Sequence, residues 1–423
     1  MRSFTSAATL LALAAGASAK LQYLGVAMAG IDFGCDIDGT CPLKTVALPL
    51  KNYGGADGKA QMEHFVEDDK LNIFRLPVSW QFLTNGQGGS TLDAQGWESY
   101  DTLMQTCLDT GAYCMIDLHN FARYDKGIIG QGGPSDDTFA QLWANIAENY
   151  ADNEKVVFGL MNEPHDLDTA KWADTCQAAV TAIRKAGART QVILLPGNNF
   201  SSATDFVANQ SADLLGNITN PDGTTDGLLL DLHKYLDINN SGQHEECTTD
   251  NVAGFKTIAE WLRDNNRTAI VSETGASMDP TCMVRFCAQN RYLAENTDVF
   301  VGFVGWSAGS FDESYIMSLT PSGEPGDYTD NKLMKQCILD VFNGQYSPPS
   351  STSSSSTSSS SVRPSTSGTA TTQSPQRTSD SIFHESPSPT PSHTPANGGA
   401  ASSLASSSAL AAVAVAALFL AAF

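Results

Sequence analysis

Apolar and β-branched residues gather in eight runs along the chain: residues 24–30, 72–78, 113–119, 156–164, 191–197, 228–235, 268–275 and 299–308. Helix-length stretches separate them, and two of these, residues 139–150 and 172–186, repeat their apolar positions with helical spacing. A strand that is apolar on both faces is buried on both faces, which is the condition of a parallel sheet covered by helices. Eight such strands alternating with helices predict an α/β fold closed into a (β/α)8 barrel. A doubly wound open sheet is the competing arrangement, but no Gly-x-Gly-x-x-Gly follows the first run.

Two of the runs close on a glutamate, in Asn162-Glu163-Pro164 and in Ser272-Glu273-Thr274-Gly275. In a (β/α)8 barrel the carboxyl ends of the strands converge on one cleft, so groups remote in sequence become neighbours there. The same ends carry Arg75, His119, Asn162, His233, Tyr235 and Trp306. Cleavage of a glycosidic bond needs one carboxylic acid to protonate the leaving oxygen and a second carboxylate at the anomeric carbon. Glu163 and Glu273 are therefore the candidate catalytic pair. Arg75 would keep a carboxylate ionised, Asn162 would hydrogen-bond a sugar hydroxyl, and Trp306 would stack on a pyranose face.

Each residue also has a plainer reading. One glutamate at a strand end serves as readily as a helix cap or an ion-pair partner, and one histidine there as a satisfied core residue. His119 and His233 with Glu163 could form a metal site, but no His-Glu-x-x-His or comparable ligand spacing is present, so the reading calls for no metal and no cofactor. Trp80 fits either a sugar subsite or the core. Trp97, Trp143, Trp172 and Trp261 fall in helical stretches and read as contacts between helix and barrel.

Arg75, His119, Asn162, Glu163, His233, Tyr235, Glu273 and Trp306 resemble, in type and order, the eight active-site residues of glycoside hydrolase family 5. The opening segment from Gly25 to Cys41, with Ala29-Gly30-Ile31-Asp32-Phe33-Gly34-Cys35, is similar to secreted fungal endo-β-1,4-glucanases of that family. The likeness extends over about residues 22–343. It implies a retaining barrel enzyme with Glu163 as acid/base and Glu273 as nucleophile, acting as a monomer on a β-glucan. No cellulose-binding module is visible at either end.

Composition places this domain in an oxidising compartment. Residues 1–19 have the basic start, apolar stretch and small-residue close (Ala17-Ser18-Ala19) of a secretory signal. Asn-x-Ser/Thr sequons stand at Asn199, Asn209, Asn217, Asn239 and Asn266. The nine cysteines then read as disulfides, although eight allow 105 pairings. Short spacings favour Cys35 with Cys41 and Cys107 with Cys114, and the resemblance implies Cys247 with Cys282 and Cys287 with Cys337, leaving Cys176 free. The net charge of −22 is concentrated before residue 346, and a surface so acidic repels nucleic acid and anionic lipid while tolerating a neutral substrate.

Residues 20–345 thus read as one catalytic domain. Residues 346–396 are rich in Ser, Thr and Pro and read as an O-glycosylated stalk that cannot bury enough apolar area to fold. Residues 397–423 join small residues, a polar spacer and an uncharged apolar tail, the arrangement of a GPI-attachment signal; a transmembrane tail is the alternative. Three functions fit: a cell-surface endo-β-1,4-glucanase, a hydrolase of another β-glycan such as mannan, xyloglucan or β-1,3-glucan, and a non-catalytic wall-anchored glycan binder. The binder predicts a missing carboxylate, and none is missing.

Overall fold

The computed structural model describes residues 20–347. The signal, stalk and anchor segments expected at the two ends lie outside the described residues. Strands β1 (Tyr23–Ala29), β2 (Ile73–Val78), β3 (Tyr113–Leu118), β4 (Val156–Gly159), β5 (Ile193–Pro196), β6 (Leu228–His233), β7 (Ala269–Thr274) and β8 (Phe300–Gly309) pair in chain order into one closed barrel. All pairs are parallel, and β8 closes on β1 with Tyr23 opposite Gly302 and Val26 opposite Gly305. On its other side β1 needs Gly25 where it pairs with β2, because a Cβ there would meet the carbonyl oxygen of Ile73 at 1.8 Å.

The period of two along each strand divides the side chains between two environments. On β2, Phe74, Leu76 and Val78 join the layer between strands and helices, whereas Ile73 points into the barrel. The interior floor is apolar, built from Ile73, Met115, Val157, Leu194, Leu229, Ile270 and Val304. Two residues further along the same inward rows, the chemistry changes to Arg75 on β2, Asp117 on β3 and Asp231 on β6, all buried. A floor without polar groups leaves these charges only each other and the rim as partners.

Helices cover the outer face, and most of the longer ones start on side-chain caps. Ser135 accepts from Thr138 N at 3.1 Å to open α3 (Asp136–Glu148), and Asp168 accepts from Ala170 N at 3.1 Å to open α4 (Thr169–Lys185). With α1 (Gly58–Glu67) and α2 (Ala94–Asp109) before them, α3 and α4 contain the two amphipathic stretches. Phe139, Leu142, Trp143 and Ile146 of α3 are buried at the spacing of one helix face. Trp143 and Trp172 are wholly buried and donate their indole N–H to the carbonyls of Leu160 (3.2 Å) and Pro196 (2.8 Å). Trp80 is core as well: it donates to the Gly89 carbonyl at 2.8 Å and packs on Phe139, away from the cleft.

Two strands end two or more residues before their apolar runs do. β4 stops at Gly159, and residues 160–164 leave the ladder although they remain apolar up to Met161. β6 stops at His233, because the Tyr235 N–H is taken by Asn240 Oδ1 at 2.8 Å. Disulfides join Cys35 to Cys41, Cys107 to Cys114, Cys247 to Cys282 and Cys287 to Cys337, while Cys176 is a buried free thiol in α4. Among the described residues no helix is long and apolar enough to cross a membrane.

The Cys287–Cys337 bridge closes a loop of 50 residues and ties the helix before β8 to the C-terminal segment. Constraint of the unfolded chain over that length corresponds to about 4 kcal/mol. Replacing both cysteines by alanine is expected to lower the unfolding free energy by an amount in the range of about 2–5 kcal/mol, measured by guanidinium titration. A loss below about 1 kcal/mol would show that the bridge does not restrict the unfolded chain.

Candidate active site

Arg75 enters the barrel two residues after Ile73 and is 1% exposed. A guanidinium buried without partners is strongly destabilising, and this one has three. Nη1 donates to Glu273 Oε2 at 2.5 Å and Nη2 to Asn162 Oδ1 at 2.6 Å, and Nη2 also forms an ion pair with Asp117 Oδ2 at 2.9 Å. Arginine only donates, so the Asn162 atom that it touches is the oxygen. The Asn162 amide NH2 therefore faces His119 Nε2 at 3.2 Å, and that nitrogen accepts. The ring proton of His119 then sits on Nδ1, which donates to Asp117 Oδ2 at 2.8 Å.

Glu273 has both oxygens occupied, one by Arg75 and the other by the Tyr235 hydroxyl, which donates at 2.7 Å. Burial raises its carboxyl, but the charge of Arg75, then that of His233, and the Tyr235 hydrogen bond outweigh burial and hold it below the ordinary glutamate range. Glu163 lies across from it and touches no arginine. Burial, and then the negative charge of Glu273, raise the Glu163 carboxyl above the ordinary range despite the opposing effect of His233. His233 bridges the two sides, with Nδ1 3.0 Å from Glu163 Oε1 and Nε2 3.0 Å from Ser272 Oγ. An oxygen of Glu163 lies within 4.8 Å of one of Glu273. Inverting glycosidases separate their carboxyls by about 6.5–9.5 Å and retaining ones by about 5–5.5 Å, and oxygens this close agree with the retaining class.

The pair opens into a cleft of about 1050 Å³ lined in part by His119, Asn162, Tyr235, Trp306 and Tyr315. The Trp306 indole stacks on the His119 ring with centroids 5.6 Å apart and planes at 18°, and donates to Tyr315 Oη at 3.1 Å. Tyr315 stacks in turn on Phe311 at 3.8 Å. Glu163, His233 and Glu273 are close enough to ligate one ion. Arg75 already supplies the positive charge at Glu273, and its guanidinium would repel a second cation there.

The family model for cellulase (glycosyl hydrolase family 5) matches residues 36–312. The chain is similar to endoglucanase EG-II of Hypocrea jecorina, 50% identical over 326 residues that span 76% of this chain and 78% of the relative. The chain belongs to glycosyl hydrolase family 5. It is also similar to endoglucanase 1 of Saitozyma flava, with 45% identity over 311 residues covering 73% and 86% of the two chains. Among solved structures, Cel5A (EG2) of Hypocrea jecorina superposes with a TM-score of 0.74 at 50% identity, over 76% of this chain and 99% of that one.

All eight residues singled out in the sequence stand around this one family 5 cleft or in the hydrogen-bond network beneath it. Three further residues were not foreseen. Asp117 holds both Arg75 and His119, Asp231 approaches His233 Nε2 to 3.9 Å, and Tyr315 orients Trp306. A signal for the two aspartates is present in the chain: Asp117-Leu118-His119 and Asp231-Leu232-His233 each place a carboxylate two residues before a histidine, on the same inward row. Tyr315 lies in an irregular segment and has no such signal.

Carbon-13 NMR of labelled glutamate side chains tests the split between the two carboxyls. Glu163 is expected to titrate above the ordinary glutamate value and Glu273 below it. His233 lowers both, so in His233→Asn both midpoints should move to higher pH. Superimposable titrations for the two glutamates in the unaltered protein would contradict the assignment.

Proposed function

We propose that this chain is a retaining endo-β-1,4-glucanase that cleaves internal bonds of a β-glucan by double displacement on Glu163 and Glu273. The observation that carries this reading is the close approach of two carboxylates, within 4.8 Å, that are driven in opposite directions from the same ordinary pKa. Membership in family 5, and relatives named endoglucanases, support the glucan as substrate.

Glu163 begins protonated and gives its proton to the leaving glycosidic oxygen, while Glu273 attacks the anomeric carbon and forms a glycosyl-enzyme. Glu163, now ionised, takes a proton from the incoming water, which releases the sugar with its β-configuration kept. Arg75 and Tyr235 hold Glu273 ionised and aimed. Asn162 is fixed by Arg75 with its amide toward His119, at the level where a sugar hydroxyl would bind. His119 buttresses one face of the Trp306 indole, which lines the cleft where a sugar ring would stack.

Glu273→Gln is expected to remove turnover on every substrate. Glu163→Gln should slow cellulose hydrolysis by roughly 10²–10⁴-fold, yet spare glycosylation by dinitrophenyl glycosides and recover in azide. The pH profile of kcat/KM should rise as Glu273 ionises, below the ordinary glutamate value, and fall as Glu163 deprotonates above it. Proton NMR of the first-formed sugars settles the stereochemistry: an initial α-anomer would overturn the assignment of both glutamates. Product profiles on oligosaccharides of cellulose, mannan and laminarin test the glycan itself, and preferred cleavage of mannan or laminarin would transfer the mechanism to another β-glycan.

The same proposal places the enzyme outside the cell, exported by residues 1–19 and held at the surface through a stalk and a GPI anchor attached near Asn397 or Gly398. Phosphatidylinositol-specific phospholipase should release activity from cells. Activity retained in membranes, together with recovery of the intact C-terminal peptide by mass spectrometry, would count against the anchor.

A further inference from the structure

We propose that His64, Asp69 and Asp330 form a binding site for a divalent transition-metal ion, separate from the catalytic cleft. The three residues come from distant parts of the chain. His64 is on α1, Asp69 lies in the turn that follows it, and Asp330 comes directly after the exposed hairpin strand Asp327–Thr329. Their side chains are 8%, 7% and 12% exposed. None of them lines the cleft that holds Glu163 and Glu273.

The geometry resembles a ligand set more than an ion pair. One donor atom from each residue lies within 4.8 Å of the other two, with His64 Nε2 3.2 Å from Asp330 Oδ1 and 3.7 Å from Asp69 Oδ2. Ligands about 2.0–2.1 Å from a tetrahedral ion stand about 3.3 Å from each other, so only small movements are needed to seat one. His64 Nδ1 is 2.7 Å from Asp68 Oδ2. A proton on Nδ1 donated to that carboxylate leaves the Nε2 lone pair facing Asp69 and Asp330, which is how a carboxylate orients a metal-binding histidine.

Asp69 supplies an independent observation. Its Oδ2 is buried, points at His64 and Asp330, and has no hydrogen-bond partner. A buried carboxylate oxygen in that state is costly unless something positive meets it. An imidazolium in place of the metal removes the cost only in part: it would donate from Nε2 to Asp330 and from Nδ1 to Asp68, leaving Asp69 Oδ2 with a 3.7 Å ion pair and no hydrogen bond. One imidazole and two carboxylates suit Zn²⁺ or Mn²⁺, with water completing the coordination.

The site would clamp the two ends of the barrel sequence. α1 already holds the end of β8, since the Gln61 amide donates to the Gly309 carbonyl at 3.0 Å and accepts from the Gly309 N–H at 2.9 Å. A metal between α1 and Asp330 adds a second tie across the seam where β8 meets β1.

The test uses the full-length enzyme freed of metal by a chelator and titrated with Zn²⁺ and, separately, Mn²⁺, by calorimetry and thermal unfolding. One equivalent should bind, with a Tm that rises with metal concentration. Asp69→Asn and Asp330→Asn should each weaken binding at least tenfold while turnover of a cellulose oligosaccharide stays unchanged. X-ray absorption on the zinc-loaded unaltered enzyme needs no variant and should show one imidazole with oxygen ligands near 2.0–2.1 Å. Absence of binding to the unaltered enzyme at millimolar metal, binding unchanged in both asparagine variants, two or more imidazoles, or binding lost instead in Glu163→Gln would each overturn the proposal.

Discussion

A single buried cation organises the catalytic half of this barrel. Arg75 is sealed among β-strands, and its desolvation is offset by hydrogen bonds to Glu273 and Asn162, an ion pair with Asp117 and the Trp306 ring 5.7 Å away. Each acceptor is fixed in return. Glu273 is held ionised, Asn162 cannot turn its amide over, and Asp117 keeps the proton of His119 on Nδ1. Arg75 also separates the two glutamates chemically. It bonds Glu273 and not Glu163, so burial acts on Glu163 without that compensation and the negative charge of Glu273 adds to it. Removing the guanidinium would therefore bring the two carboxyls toward the same protonation state while leaving Asp117 and Glu273 buried and unmatched.

The barrel makes this arrangement possible because parallel strands send alternate residues inward. An apolar floor of Ile73, Met115, Val157 and Ile270 excludes water from below, and that dryness strengthens the ionic contacts above it. The two Asp-x-His pairs, on β3 and β6, repeat one device. In each, an aspartate in the barrel wall stands beneath a histidine at the rim: Asp117 fixes His119 directly, and Asp231 lies near His233, which Ser272 also contacts. His119 then supports Trp306, and His233 contacts Glu163, so the wall aspartates act on the cleft through the rim histidines.

The fold was legible because eight buried strands leave apolar runs too long and too regular to be accidental. The glutamates were legible because strand ends in such a barrel meet. What the apolar pattern did not show was where pairing stops: Leu160 and Met161 are as apolar as the strand before them, yet they pack against the core from outside the ladder. Asp117 and Asp231 read as isolated charges in apolar runs until the spatial partner, Arg75 or His233, is known. The group of His64, Asp69 and Asp330 has no local spacing at all, since its third member is brought in by closure of the barrel. Trp80 fitted two environments equally well, and only the Gly89 carbonyl that receives its N–H decides for the core.

The departure of β4 from the ladder at Gly159 explains how two adjacent residues take unlike parts. The Asn162 N–H still bonds the Leu118 carbonyl at 2.8 Å, so Asn162 remains anchored to the neighbouring strand and its side chain to Arg75. At Glu163 the backbone turns to a φ of 45°, in the left-handed region that costs a residue with a side chain roughly 1–3 kcal/mol. An extended residue there would point to the opposite face from Asn162, outward toward the helices. The left-handed step instead keeps both side chains on the cleft side, where Glu163 meets His233 and faces Glu273. The backbone strain at this position thus falls on the residue whose carboxyl must stay buried enough to hold its proton and open enough to reach the bond.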